Sequence, residues 1–233
     1  MDLKKIAFSQ FSFQLPKRIQ SSTCGVASLI QTLNFFEILY ESPEKVFENF
    51  VKLAKYSARY TVLNFPELNF PIPYSIEPED EGKAVDDLVV QLCEPNSNEY
   101  LPTYLLKIGS DARGMSQFLR NMNLKARIFE FKDADSVQFK EDLQNELTLG
   151  KWLIASVKLT HIPHLMKRGN REYQERHRFV THLVNLYMLD GDLWMIDPLT
   201  REGEEAALKV DFVEVVKAMT EDRNRGQFIS INK

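Results

Sequence analysis

The feature that most constrains the fold of this 233-residue chain is a β-hairpin signal near its C-terminal end. Two apolar runs, His182 to Leu189 and Leu193 to Ile196, flank the dipeptide Asp190-Gly191. Asp-Gly is a preferred pair in tight hairpin turns because both residues tolerate a positive φ. The pattern therefore predicts two antiparallel strands joined by a short turn.

Two chemically useful side chains lie at the open end of this predicted hairpin. His182 begins the first strand, and Asp197 follows the second strand, fifteen residues later. Antiparallel pairing folds the chain back on itself, so we expect the two side chains to be neighbours. A carboxylate beside a histidine fixes the tautomer and orientation of the ring, as a catalytic base requires.

A candidate nucleophile stands close to the start of the chain. The polar run Gln20 to Thr23 leads directly into Cys24. Apolar residues then recur at helical spacing, at Val26, Leu29, Ile30 and Leu33, which predicts a helix to about Tyr40. The pair Ser42-Pro43 is predicted to start the next helix. Cys24 is thus predicted at a helix N-terminus, where the free N–H groups and the helix dipole favour a thiolate. Cys93 lies in an apolar segment and is predicted to be a structural thiol.

The order of the predicted elements indicates the fold class. Helical patterns dominate the first part of the chain and strand patterns the last, which predicts an α+β fold with an antiparallel sheet. We expect one domain over 1–233, with an insertion or lid-like subdomain at about 41–108, where prolines and an acidic run interrupt the pattern. Residues 1–19 alternate aromatic and polar side chains and predict a short strand or extended arm.

Charge and hydropathy exclude several functions. The net charge of −4 and the pI near 5.7 give no basic surface for nucleic acid. No apolar run is long enough for membrane insertion, and the N-terminus lacks the pattern of a signal peptide. These features predict a cytoplasmic protein, or one exported by a route that needs no Sec signal.

No cofactor or metal is predicted. The polar connection 160–178 contains His161, His164 and His177, but no pair of cysteines accompanies them. The same connection carries several basic residues just before His182. It is predicted either to contact an acidic substrate or partner or to be a solvated loop.

The motifs resemble those of a known superfamily. Cys24-Gly25-Val26-Ala27-Ser28-Leu29, His182 at the head of an apolar strand, and Asp197-Pro198 look like the papain-like cysteine peptidases, especially the C39-like peptidases. The resemblance implies an N-terminal helical part, carrying the cysteine, packed on a C-terminal antiparallel sheet. It also implies cleavage of a peptide or protein amide bond. Cys24 would be the nucleophile, His182 the general base and acid, and Asp197 the residue that orients the histidine.

The resemblance leaves the oxyanion donor open. These enzymes usually carry a glutamine upstream of the cysteine, at a position that Arg18 occupies here. Gln20 is the candidate donor and Gln14 the fallback, and the backbone N–H of Cys24 is expected to contribute in either case.

Two other functions remain compatible with the sequence. The cysteine motif, followed by Leu33-Asn34, also resembles the corresponding segment of phytochelatin synthases, which implies an acyl or peptidyl transferase. A catalytically silent binding module that holds a partner through 41–108 is the third alternative.

Overall fold

The fold is α+β, as predicted. The computed structural model describes residues 2–14, 23–50, 112–131, 137–158, 182–201, 204–220 and 226–233. The helices are α1 (Leu3–Ile6), α2 (Cys24–Phe35), α3 (helical over 43–50), α4 (Ala112–Asn121), α5 (Val137–Thr148) and α6 (Phe212–Thr220). The strands are β1 (Lys125–Glu130), β2 (Trp152–Val157), β3 (His182–Leu189), β4 (Asp192–Ile196), β5 (Ala207–Lys209) and β6 (Gln227–Asn232). A short 3-10 helix covers Gln10–Ser12.

The six strands form one sheet in the order β1-β6-β2-β3-β4-β5, and every neighbouring pair is antiparallel. The hairpin β3–β4 closes at the pair Leu189 and Asp192. Asp190 and Gly191 have φ values of 53° and 83°, so both occupy the left-handed region that a tight hairpin turn requires. The predicted hairpin is therefore present with the predicted turn.

Helices cover both faces of the sheet. Side chains alternate along each strand, so Trp152 and Ile154 of β2 belong to one core and Leu153 and Ala155 to the other. The first core contains buried residues of α1, α2, α3 and α4, and the second contains those of α5 and α6. The cysteine-bearing helix thus belongs to one outer layer of a three-layer fold.

The start of the chain is not the predicted strand. Residues 3–6 form α1, and Gln10–Ser12 form the 3-10 helix. Leu3 and Ile6 are three residues apart, a helical spacing that places both on the buried side. Asn34 Nδ2 donates to the carbonyl of Ile6 at 3.1 Å, which satisfies an acceptor at the end of α1. The aromatic alternation therefore reflects packing and not strand pairing.

The helix that follows Cys24 is shorter than predicted, ending at Phe35 and not near Tyr40. Glu37 has a φ of 54°, and the N–H of Ile38 donates to the carbonyl of Leu33 at 2.9 Å, a closure typical of helix C-termini. The next helix begins as predicted at Ser42, whose Oγ accepts the N–H of Lys45 at 3.1 Å.

The predicted insertion at 41–108 is described only over its first ten residues. Within them Val46, Phe47 and Phe50 are buried in the same core as α2. The Phe47 ring lies 6.1 Å from that of Phe13. The beginning of this segment is thus part of the main core, and 51–108 lie outside the described residues.

The short edge strand β5 was not predicted. It pairs with β4 from Trp194 opposite Lys209 to Ile196 opposite Ala207. Just beyond this ladder, the N–H of Asp197 donates to the carbonyl of Ala206 at 3.1 Å. The strand therefore holds the chain at the point where Asp197 leaves the sheet. None of the helices described is long and apolar enough to cross a membrane.

Candidate active site

Cys24 is the first residue of α2 and is partly exposed. Thr23 occupies the N-cap position, but its side chain does not cap the first turn. Its hydroxyl donates instead to the carbonyl of Gln10, at 3.5 Å. The thiol therefore lies at a helix N-terminus whose first N–H groups are not taken by the capping side chain.

His182 and Asp197 contact each other as the hairpin geometry predicts. His182 Nε2 lies 2.8 Å from Asp197 Oδ1, and the two side chains are 6% and 1% exposed. The last pair of the β3–β4 ladder is Asn185 with Ile196. Continuing this register places Asp197 diagonally across from His182, a separation that a histidine and a carboxylate can bridge. The pair is thus a product of local hairpin geometry.

The carboxylate of Asp197 is held by the turn that follows it. The N–H of Leu199 donates to Oδ1 at 2.8 Å, the same oxygen that contacts the histidine. The hydroxyl of Thr200 donates to the carbonyl of Asp197 at 2.7 Å. An aspartate that bonds the backbone two residues later forms a local turn, which fixes its side chain. Asp197 is therefore preorganised to orient the His182 ring.

Cys24 and His182 are hydrogen-bonded to each other. Because Asp197 holds Nε2, the nitrogen left for the sulfur is Nδ1. Burial alone would raise the pKa of the Cys24 thiol, but the hydrogen bond and charge of His182, with backbone hydrogen bonds from Leu183 and Gly25, lower it overall. Burial alone would lower the pKa of His182, but Asp197 and Cys24 raise it to about 9. The lowered pKa of the Cys24 thiol and the raised pKa of His182 both shift the pair towards the thiolate and the imidazolium.

The β3–β4 ladder ends before Leu183, so the backbone carbonyl and N–H of this residue have partners outside β4. The register of β3 and β4 would place Pro198 opposite Leu183, but proline has no N–H to donate. The carbonyl of Leu183 accepts a hydrogen bond from Ser28 Oγ at 3.3 Å instead. The N–H of Leu183 is directed to Cys24. The end of β3 is therefore joined to α2 and not to β4.

Of the candidate oxyanion donors, Gln14 and the N–H of Cys24 are among the described residues. Gln20 and Arg18 lie outside the described residues, so the role of Gln20 stays a prediction. Gln14 is exposed, and its backbone N–H lies 3.4 Å from Glu44 Oε1. The N–H of Cys24 is placed at the first position of α2, where such a donor is expected.

Gln10 is a buried residue beside the site, and it was not identified from the sequence. Its N–H donates to the carbonyl of Pro198 at 2.8 Å, and its carbonyl accepts from Thr23. Its side chain is fully buried, and neither Nε2 nor Oε1 has a hydrogen-bond partner among the described residues. A buried glutamine and an exposed one look alike in a single sequence, so no signal pointed to it. Gln10 links the residue before the nucleophile to the residue after Asp197.

The substitution Gln10→Met should stabilise the free protein. Methionine has a similar shape and removes two buried polar atoms that lack partners among the described residues, which should raise the free energy of unfolding by about 1–2 kcal/mol. Urea unfolding monitored by tryptophan fluorescence measures the change. Gln117→Met, at an exposed helical glutamine, is the matched control and should stay within about 0.5 kcal/mol. A loss of stability in Gln10→Met would show that the amide is paired in the free protein.

The structure supplies no candidate metal site in the part of the chain that it describes, where no three His, Cys, Asp or Glu side chains are grouped to hold an ion. The polar connection 160–178, with His161, His164 and His177, lies outside the described residues, as does Cys93. Their predicted roles stay predictions.

Comparisons with protein-family models, with curated protein sequences and with solved structures found no match for this chain. The candidate site consists of three side chains from two separate parts of the sequence, namely Cys24, His182 and Asp197.

Proposed function

We propose that the protein is a papain-like cysteine peptidase of the C39-like type, which cleaves a peptide or protein amide bond through a thioester on Cys24. The single observation that carries the proposal is the hydrogen-bonded chain from Cys24 through His182 to a buried Asp197. A nucleophile, a base and an orienting carboxylate in hydrogen-bond contact are the requirements of nucleophilic acyl transfer.

The first half of the proposed reaction forms the thioester. The Cys24 thiolate attacks the carbonyl carbon of the amide, and the carbonyl oxygen becomes an oxyanion that the Cys24 N–H stabilises. His182 then transfers its Nδ1 proton to the amine nitrogen as the C–N bond breaks. The amine leaves as the neutral first product, and His182 is left as a neutral base.

The second half releases the acyl group. Neutral His182 takes a proton from a water molecule, and the oxygen of that water attacks the thioester carbonyl. When the C–S bond breaks, the thiolate re-forms beside the imidazolium and the carboxylic acid leaves. Asp197 keeps Nε2 occupied throughout, so the nitrogen that moves the proton always faces the sulfur.

Selective labelling of Cys24 tests the proposal without a known substrate. At pH 6.5, iodoacetamide should modify Cys24 at least about tenfold faster than Cys93, because a hydrogen-bonded histidine lowers the pKa of the Cys24 thiol. Peptide mass spectrometry measures both rates in the same molecule. Cys24→Ala should lose this label and retain that of Cys93. Equal rates at the two cysteines would contradict the proposed nucleophile.

Product analysis identifies the reaction. Digestion of a mixed peptide library should yield free carboxyl termini that are absent with Cys24→Ala. Addition of an amine acceptor, such as glycine amide, distinguishes a hydrolase from a transferase. A product dominated by the new amide would replace the hydrolase by the acyl or peptidyl transferase. Labelling without turnover of either kind would favour the binding module.

A further inference from the structure

Three buried polar residues lie near the contact between α2 and β3, apart from the Cys24–His182 pair. Ser28, Gln31 and Asn185 have no exposed surface, and we call them the α2–β3 polar cluster. Asn185 Nδ2 lies 3.1 Å from the carbonyl oxygen of Ser28 and 2.6 Å from Gln31 Oε1. Gln31 Nε2 in turn donates to the carbonyl of Phe8 at 2.8 Å. The cluster therefore joins the middle of the cysteine helix to β3 and to the N-terminal segment.

One member of the cluster bonds the backbone of Leu183, the residue that follows the histidine. Ser28 Oγ donates to the carbonyl of Leu183 at 3.3 Å. The backbone N–H of Leu183 donates a hydrogen bond to the sulfur of Cys24. Ser28 is one helical turn after Cys24, so both side chains face the same part of β3. Leu183 is thus held at its carbonyl by Ser28, while its N–H serves the nucleophile.

We propose that Ser28 is a positioning residue for Cys24, which keeps the Leu183 N–H aimed at the sulfur, and that Asn185 holds Ser28 in place on β3. The inference rests on the proposed function, because it concerns the geometry of the same nucleophile. It assigns a role to the serine of the Cys-Gly-Val-Ala-Ser motif that differs from simple helix packing.

Directional hydrogen bonds supply what apolar packing alone does not. Burial of apolar surface is non-directional, so a helix can shift along a sheet at little cost if only apolar side chains meet. The polar cluster adds three bonds with defined geometry at this interface. A shift of the helix would break these bonds between buried groups, although Asn185 Oδ1 itself has no partner among the described residues. The position of α2 on β3 is therefore specified where Cys24 must meet His182.

The charged groups around the sulfur set how large the effect of Ser28 should be. His182 faces Cys24 from the start of β3, and Asp197 faces His182 from the end of β4. Both remain when the Ser28 hydroxyl is removed. The loss is confined to the hydrogen bond from Leu183, so a modest change in thiolate stability is expected.

The test is the pH profile of iodoacetamide labelling at Cys24 in Ser28→Ala. Its midpoint should rise by roughly half a pH unit, which leaves about threefold less thiolate below the midpoint. Ser116→Ala is the matched control, since it removes another buried serine hydroxyl, one that donates from α4 to the carbonyl of Ala126 in β1 at 3.3 Å. We expect the control to lose stability and to keep the wild-type midpoint.

The outcomes separate the two proposals. If wild-type Cys24 labels no faster than Cys93, the proposed function fails. If the wild type shows a reactive Cys24 and Ser28→Ala has the same midpoint, only the positioning role fails. Asn185→Leu, which removes the bond to the Ser28 carbonyl, is the second variant if Ser28→Ala does not fold. Its midpoint should rise in the same direction, and an unchanged midpoint overturns the role of the cluster.

Discussion

His182→Gln should lower turnover by roughly 10²- to 10⁴-fold, the usual contribution of a general acid and base. Glutamine keeps an amide that can donate to Asp197, so the buried carboxylate stays paired. It cannot become cationic, however, and burial then raises the pKa of the Cys24 thiol without the opposing effect of an imidazolium. The thiol should therefore be protonated at neutral pH.

Two measurements distinguish this loss from a folding defect. Iodoacetamide labelling of Cys24 at pH 6.5 should fall at least about tenfold, because the thiolate is the reactive form. Labelling of Cys93 in the same molecules should not change. A variant that keeps wild-type labelling at Cys24 would contradict the ion pair and leave the lowered pKa of the thiol without its main cause.

Asp197→Asn should lower the free energy of unfolding near pH 6 by up to about 3 kcal/mol, because Asp197 comes before Cys24 among the partners that raise the pKa of His182. Asparagine can still accept the Leu199 N–H through its side-chain oxygen, so the variant mainly removes the negative charge beside His182. The pKa of His182 is about 9 in the folded protein, against an ordinary value of 6.5. Each pKa unit corresponds to 1.36 kcal/mol, so this shift corresponds to about 3 kcal/mol of stability. Protonated His182 gains that stability from Asp197 and Cys24 together.

The pH dependence of this loss has a defined sign. A group whose pKa is raised on folding stabilises fully below its unfolded pKa and loses that contribution as pH rises through its folded pKa. The difference between wild type and Asp197→Asn should thus be largest at pH 6 and shrink as pH rises from 6.5 past about 9. Urea unfolding at pH 6, 8 and 9.5 measures it, and NMR titration of the His182 ring follows the pKa directly.

Asp192→Asn on the same hairpin is the matched control. Asp192 Oδ1 lies 2.6 Å from Lys209 Nζ, but both side chains are largely exposed. Exposed ion pairs contribute about 0–1 kcal/mol, so this variant should cost little and show no change in the pH range of the histidine. Equal losses in the two variants would mean that Asp197 serves the hairpin and not the His182 charge.

The parts of the fold that the sequence predicted depend on local signals. Asp190-Gly191 between two apolar runs is sufficient for the β3–β4 hairpin, and hairpin geometry is sufficient to bring His182 to Asp197. The same applies to Ser42, which begins a helix through its own side chain. In each case the interacting residues are close in sequence, so few arrangements compete.

The parts that the sequence did not predict depend on distant packing. Residues 3–12 were expected to be extended, but contacts with α2 favour helical turns there. The bond from Ser28 to Leu183 joins residues 155 positions apart, and no local pattern encodes it. Strand β5 is too short for a recognisable alternation. The burial of Gln10 likewise follows from the fold around it.

Pro198 determines where the hydrogen-bonded ladder of the β3–β4 hairpin ends. Any other residue at this position could offer an N–H to the Leu183 carbonyl and extend the β3–β4 ladder by one more step. Proline leaves that carbonyl to Ser28 Oγ, and the Pro198 carbonyl accepts from the Gln10 N–H, so the Leu183 N–H is left for the sulfur. The Asp-Pro pair at the end of β4 therefore contributes twice, with a carboxylate that aligns the histidine and with a ring that stops the sheet before it reaches the nucleophile.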